Sequence, residues 1–180
     1  GKRLFPLGIY MYGEMATDEH LARIRAAGFN TLLNYNYGTG RDPYNYFRKT
    51  QQYGLQVIFS LKDMYAGTRF APETKMSYPQ LTASYVEKFN HQPNLLAWYI
   101  NDELGPEYVP QIEQKHLQVK QLDPDHLTFQ VLDKTGTLNA YFNSSDVLAS
   151  DPYPVGRDAD LTRTLEYSRI TSQVARQAKG

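Results

Sequence analysis

Two heptapeptides, Ala27-Gly28-Phe29-Asn30-Thr31-Leu32-Leu33 and Tyr53-Gly54-Leu55-Gln56-Val57-Ile58-Phe59, carry the same pattern 26 residues apart: a helix end, a glycine, then a run of strand formers. A glycine just past the last helical position supplies the left-handed backbone that closes a helix. The apolar run behind it reads as a strand buried on both faces, which is the habit of parallel sheets. Parallel strands need helical crossovers between them. The repeat therefore predicts a chain built from successive βα units.

The alternation continues along the chain. Strands are expected over Leu7–Tyr12, Asn30–Tyr35, Gln56–Leu61, Leu95–Ile100, Leu127–Leu132 and Asp146–Ser150. A first helix over Asp18–Ala27 has Thr17 as N-cap, Asp18 and Glu19 in its first turn and Gly28 at its end. Asp42-Pro43 opens a second that Gly54 closes, with a capping residue followed by an N1 proline. Further helices are expected from Pro79 to Asn90, over Val109–Leu122 and from Asp160 onward, with a short helical turn at Leu138–Asn143. An open doubly wound sheet also stops at six strands, but Tyr12-Gly13-Glu14 is not the GxGxxG turn, and GxxxxGK[ST] and HExxH are absent. A (β/α)8 barrel has eight units in ~250 residues. The expected fold class is therefore α/β, a partial TIM barrel with six parallel βα units in sequential order. Residues 1–180 would form the N-terminal three-quarters of a single barrel catalytic domain. Leu7, Ile9, Val147 and Leu148, beside the open gap, should then be less buried than Leu96 and Ile100.

Nineteen basic side chains balance nineteen acidic ones, so no net field points to nucleic acid or an anionic membrane as partner. No apolar run approaches the ~18 residues of a membrane span. With no cysteine there is neither a disulfide framework nor thiolate chemistry, and composition leaves the compartment open. Fifteen tyrosines and eight phenylalanines stand out. Tyrosine pairs a flat apolar face with a hydroxyl, which suits the C–H face and hydroxyl rim of a sugar as well as it suits helix–sheet packing.

In parallel α/β folds the chemistry gathers where strands end. There the sequence delivers Tyr12 and Glu14, then Asn34, Tyr35 and Asn36, then Lys62, Asp63 and Tyr65. Asn101, Asp102 and Glu103 follow the apolar run Leu95–Ile100, Asp133 follows the fifth strand, and Asp151 and Tyr153 the sixth. So many hydrogen-bonding groups with aromatic neighbours match a site for a polyhydroxylated ligand, an oligosaccharide or glycoside. The substrate-binding candidates are Tyr12, Glu14, Asn34, Asn36, Asp63, Asn101, Asp102, Asp133, Asp151 and Tyr153. His20, His91, His116 and His126 fall on helices or connections, so Zn²⁺ lacks its usual ligands and only the oxygen-ligated Mg²⁺ or Ca²⁺ would compete for the carboxylates. No metal and no cofactor is assigned, and no GxSxG elbow supports a serine triad.

Leu96-Ala97-Trp98-Tyr99-Ile100-Asn101-Asp102-Glu103 resembles the fourth-strand motif of the clan A glycoside hydrolases, retaining (β/α)8-barrel enzymes. Asp123-Pro124-Asp125-His126-Leu127 is similar to the clan's exit from helix four. Asp146-Val147-Leu148-Ala149-Ser150-Asp151-Pro152-Tyr153-Pro154 is like the sixth-strand motif of its family-2-like barrels. The resemblance runs from about Phe5 to Lys179. It implies that Glu103 is the general acid/base, that Tyr153 lies near the nucleophile, and that the nucleophile itself sits on a seventh strand outside this sequence. It alone implies a secreted or periplasmic setting. Two departures stand out: Asp102 occupies the place where the clan usually has asparagine, and Asn34 and Asn36 end strand two where members often carry arginine.

Hydrolysis by a retaining enzyme needs two carboxyl groups ~5–5.5 Å apart, one protonated and one nucleophilic. Adjacent strand residues point to opposite faces, so Asp102 and Glu103 cannot be that pair. Asp102 is expected instead to raise the pKa of Glu103 by like charge. The six units alone are expected to be inactive. The alternatives are a non-catalytic carbohydrate-binding or structural barrel, and an unrelated α/β enzyme that uses the carboxylates on a metal.

Overall fold

In the computed structural model, which describes residues 4–36, 42–155 and 160–178, six strands form one parallel sheet. They are β1 (Gly8–Met11), β2 (Thr31–Asn34), β3 (Gln56–Ser60), β4 (Leu95–Asp102), β5 (Leu127–Leu132) and β6 (Val147–Ser150), paired in chain order. Helices α1 (Asp18–Ala26), α2 (Pro43–Gln52), α3 (Tyr78–Phe89), α4 (Val109–Leu122) and α5 (Arg163–Ala178) alternate with them. The sheet curls into an α/β partial barrel. Between β5 and β6 there is a 3-10 turn over Thr135–Tyr141, displaced from the expected Leu138–Asn143. Gly136 between two β-branched threonines is poor helix material, and so short a piece does not nucleate an α-helix.

The repeated heptapeptide is a repeated Schellman cap. At the end of α1, Phe29 N–H donates to Ile24 O and Gly28 N–H to Arg25 O; at the end of α2, Leu55 N–H donates to Thr50 O and Gly54 N–H to Gln51 O. Both glycines have positive φ, 92° and 66°. The N-caps are also as expected. Thr17 Oγ1 accepts from His20 N at 3.2 Å, and Asp42 Oδ1 from Asn45 N at 3.1 Å.

The strand period sorts side chains onto two faces. Leu32, Val57, Phe59, Trp98, Ile100 and Leu132 pack under the helices against Leu21, Phe47, Val86, Phe89, Ile112 and Val119. Phe47 stacks on Phe59 at 5.2 Å, and Trp98 meets Phe59 edge-on at 6.0 Å. Trp98 Nε1 donates to Asp123 Oδ2 at 2.8 Å, and Asn94 Nδ2 to Phe47 O, Thr50 Oγ1 and Leu55 O, whereas Asn94 Oδ1 and the Tyr46 hydroxyl are buried without a hydrogen-bond partner among the described residues. The opposite face holds a smaller cluster of Leu33, Tyr99 and Val131, flanked by Ile58, Phe129 and Ala149.

The edges are less buried than the centre. Leu7 is exposed and Ile9, Val147 and Leu148 are half-buried, whereas Ile100 is fully buried. Leu96 departs from the expectation, being half-buried as well. It is an extra residue in β4, lying between Leu95 opposite Val57 and Ala97 opposite Ile58, so the bulge turns it out of the regular pleat.

Candidate active site

A second bulge in β4 sets the geometry of the strand end. Tyr99 faces Phe129 and Asn101 faces Gln130, so Ile100 is the surplus residue. Beyond it Asn101 lies on the helix side with Gln130, while Asp102 shares the inner face with Tyr99. The strand stops at Asp102, and Glu103 adopts a left-handed backbone with φ 57°, alone among the described non-glycine residues. That conformation is disfavoured for a side chain with a Cβ and persists only where its surroundings impose it. Here Glu103 N–H donates to Val131 O, Leu104 N–H to Asn101 Oδ1 at 3.2 Å, and the Tyr141 hydroxyl to Leu104 O at 2.6 Å. The Tyr65 hydroxyl donates to Ile100 O at 2.6 Å and holds the bulge.

Asp102 and Glu103 go to different partners. Tyr99 donates to Asp102 Oδ1 at 2.5 Å, Lys62 Nζ lies 3.3 Å from Asp102 Oδ2, and burial, followed by the Asp102 charge, holds the Tyr35 pKa up. Lys62 is only 6% exposed; it bonds Asp63 Oδ1 at 2.9 Å and lies 4.2 Å over the Tyr35 ring. Burial raises the Asp63 pKa, and Lys62 pulls it back.

Glu103 meets strand six. The Tyr153 hydroxyl is 2.9 Å from Glu103 Oε1 and 2.7 Å from Asp151 Oδ2. A phenol has one proton to donate, so both contacts are hydrogen bonds only when one carboxyl is protonated. Loss of water pushes the Glu103 pKa up to about 7; Tyr153 opposes this, while the charge and hydrogen bond of Asp151 and the charge of Asp133 add to it. Asp151 is raised as well, by burial first, while its bonds to Tyr153 and Glu103 hold it down. The expected source of this shift is therefore corrected. The like charges acting on Glu103 are Asp151 and Asp133, because the bulge turns Asp102 toward Lys62.

The remaining candidates divide in two. Glu14 accepts from Asn36 Nδ2 at 3.2 Å, and Asn36 Oδ1 accepts from Gly13 N at 3.2 Å, which joins the loops after β1 and β2. Asp133 lies close enough to Glu103 and Asp151 for its charge to act on both, and its carbonyl accepts from the Tyr167 hydroxyl at 2.8 Å. Asn34 and Asn101 are fully buried and do not face the cleft. Asn34 Oδ1 accepts from Ser60 N at 2.7 Å and its Nδ2 donates to Asn36 O; Asn101 Nδ2 donates to Gln130 Oε1 at 3.0 Å. Both spend their amides on holding strand ends.

A cleft of about 530 Å³ opens on the inner face, lined by Tyr10, Met11, Tyr12, Met15, Tyr35, Asp102, Asp151 and Tyr153. Tyr35 is ringed edge-on by Tyr12 at 5.5 Å and lies 6.3 Å from Tyr10, which in turn meets Tyr99 edge-on at 6.2 Å. Neither Tyr10 nor Tyr99 is among the strand-end residues read from the sequence, and Lys62 is among them but not among the substrate-binding candidates. The period of two could have found the first, since Tyr10 and Tyr12 share a face. The bulge that joins Tyr99 to Asp102 leaves no sequence signal.

No protein-family model and no curated protein sequence matches the chain. Solved structures do. A GH2 β-galacturonidase from Eisenbergiella tayi bound to galacturonate superposes with a TM-score of 0.72 at 14% identity, over 96% of this chain and 33% of that one. The fold is glycoside-hydrolase-like. Bacteroides uniformis β-glucuronidase 2, covalently bound to cyclophellitol-6-carboxylate aziridine, gives 0.71 at 13% identity over 96% of this chain and 24% of its own. A β-glucuronidase from Parabacteroides merdae gives 0.66 at 12% over the same shares. The chain thus spans about a quarter to a third of these proteins, and at such identities the likeness is one of fold.

Proposed function

We propose that this chain is the first three-quarters of a glycoside hydrolase barrel, with Glu103 as general acid/base in a retaining, two-carboxylate reaction on a glycoside. The observation that carries the reading is the state of Glu103. It ends β4 in a constrained left-handed backbone, at a pKa raised to about 7, beside a cleft walled with tyrosine. A general acid works best when its pKa lies near the working pH. Glu103 would protonate the leaving oxygen and then, as carboxylate, activate the water that releases the sugar.

On this reading the second carboxylate is not Asp102, which is held by the Tyr99 hydroxyl and by a Lys62 that it shares with Asp63. On the same reading it is not Asp151 either, which shares the Tyr153 hydroxyl with Glu103 at 2.7 and 2.9 Å and so acts on the acid itself. A nucleophile from beyond β6, in the remaining quarter of the barrel, fits both exclusions. Asp151 and Tyr153 would set the protonation of Glu103, and Asp102, Tyr12 and Tyr35 would meet the sugar. On this reading the six units alone do not hydrolyse.

A second reading, a carbohydrate-binding barrel without catalysis, draws on the Asp102–Lys62 salt bridge. It places a structural ion pair next to the acid where the resembling clan has an asparagine. One experiment separates the two. In the complete barrel, Glu103→Gln should abolish hydrolysis of glycosides with poor leaving groups and harm far less those whose leaving group departs without a proton. Undiminished turnover of poor-leaving-group substrates would sink the assignment.

A further inference from the structure

We infer that the cleft takes an uncharged glycoside and rejects an anionic one such as a uronide. The inference rests on the reading of the cleft as a sugar site and adds the charge class of the sugar. Four of its described walls are tyrosines, Tyr10, Tyr12, Tyr35 and Tyr153, and its charged walls are two aspartates, Asp102 and Asp151. No lysine or arginine is among the described lining residues. Lys62, behind the Tyr35 ring, is fixed between Asp63 at 2.9 Å and Asp102 at 3.3 Å, so its charge is already balanced. Asp133 adds a further negative charge beside Glu103.

Such a surface has a clear preference. Carboxylates accept hydrogen bonds from sugar hydroxyls, and these charge-assisted bonds are stronger than neutral ones. Tyrosine faces cover the apolar C–H side of the ring. A sugar carboxylate finds no described cation to pair with and meets like charge in a cleft partly stripped of water. At an effective dielectric of about 20, that repulsion is enough to weaken binding at least about tenfold.

The test is calorimetric titration of the 180-residue chain with methyl glucoside and methyl galactoside, against methyl glucuronide and methyl galacturonide, at neutral pH and low salt. Neutral glycosides should bind, the uronides at least about tenfold more weakly. Added salt should narrow the gap by screening. Asp151→Asn, which keeps the side-chain shape, should narrow it too, chiefly by improving uronide binding. Equal or tighter uronide binding overturns the inference while the sugar-site reading stands, as does a gap that Asp151→Asn and salt leave unchanged. Binding of neither class overturns the sugar-site reading and this inference together.

Discussion

Tyr99 and Asp102 are three positions apart on β4 yet face the same way, and the Tyr99 hydroxyl donates to Asp102 Oδ1 at 2.5 Å. In a regular strand residues an odd number apart lie on opposite faces. The surplus Ile100 breaks that rule. Its effect is to send Asp102 inward to Tyr99 and Lys62 and to free Glu103 for Tyr153. Two adjacent carboxylates thereby receive different electrostatic environments.

Because Asp102 balances a nearly buried lysine, its removal should register first as lost stability. Asp102→Asn leaves Lys62 with Asp63 alone. Breaking a buried pair from one side costs ~3–5 kcal/mol, and the surviving partner here reduces that to about 1–3 kcal/mol. Urea denaturation of the variant against the parent chain measures it. An unchanged midpoint would mean that the pair contributes nothing.

Asn94 offers a test remote from the cleft. Its Nδ2 serves Phe47 O, Thr50 Oγ1 and Leu55 O, tying the end of α2 to the start of β3 and β4. Asn94→Ala orphans buried acceptors and opens a small cavity. The expected loss is about 2–4 kcal/mol by denaturant titration. A loss below half a kcal/mol would show that water replaces the amide.

The fold was legible because its signals are local. The Schellman glycines Gly28 and Gly54, the caps Thr17 and Asp42 and the strands at Gln56, Leu95 and Leu127 each read from a few neighbouring residues. The polar strand ends were legible for the same reason. What the sequence hid depends on pairing between strands. A bulge is a mismatch in register between two segments, and nothing in Tyr99-Ile100-Asn101 alone marks it. The half-burial of Leu96 and the partner exchange between Asp102 and Glu103 both follow from such mismatches. The burial of Asn34 and Asn101 was missed for another reason. A polar residue at a strand end faces either the cleft or the helices, and only the register decides which.

The strand edges carry their own expectation. β1 and β6 each pair with one neighbour among the described strands, and the flanking Phe5 and Val155 are both 83% exposed. Unpaired edges with apolar flanks recruit further strands. The chain on its own should therefore associate as its concentration rises, and Leu7→Lys, at an exposed position before β1, should suppress this. Sedimentation velocity across a concentration series reads both. A chain that stays monomeric throughout would show that the edges are protected.

Glu103 supplies the last prediction, because its neighbours act on it in opposite directions. Its pKa is raised to about 7 from an ordinary value of 4.5, so between these limits the folded chain binds the proton that the unfolded chain has released. Stability contributed by this group is fully present below pH 4.5 and lost as pH rises through about 7. Glu103→Gln should flatten that part of the stability profile and leave the smaller slope due to Asp151, whose pKa is also raised. The Tyr153 hydroxyl lowers the Glu103 pKa and Asp151 raises it. Tyr153→Phe should therefore move the Glu103 titration, followed by carboxyl NMR, to higher pH, and Asp151→Asn should move it to lower pH. In the complete barrel the alkaline limb of kcat/KM should follow each shift, since the protonated acid is the form that assists the leaving group. If the two substitutions move the NMR titration the same way, the Tyr153 bridge does not set the protonation of Glu103. If both move it as expected while the activity limb stays put, Glu103 titrates as described but is not the acid.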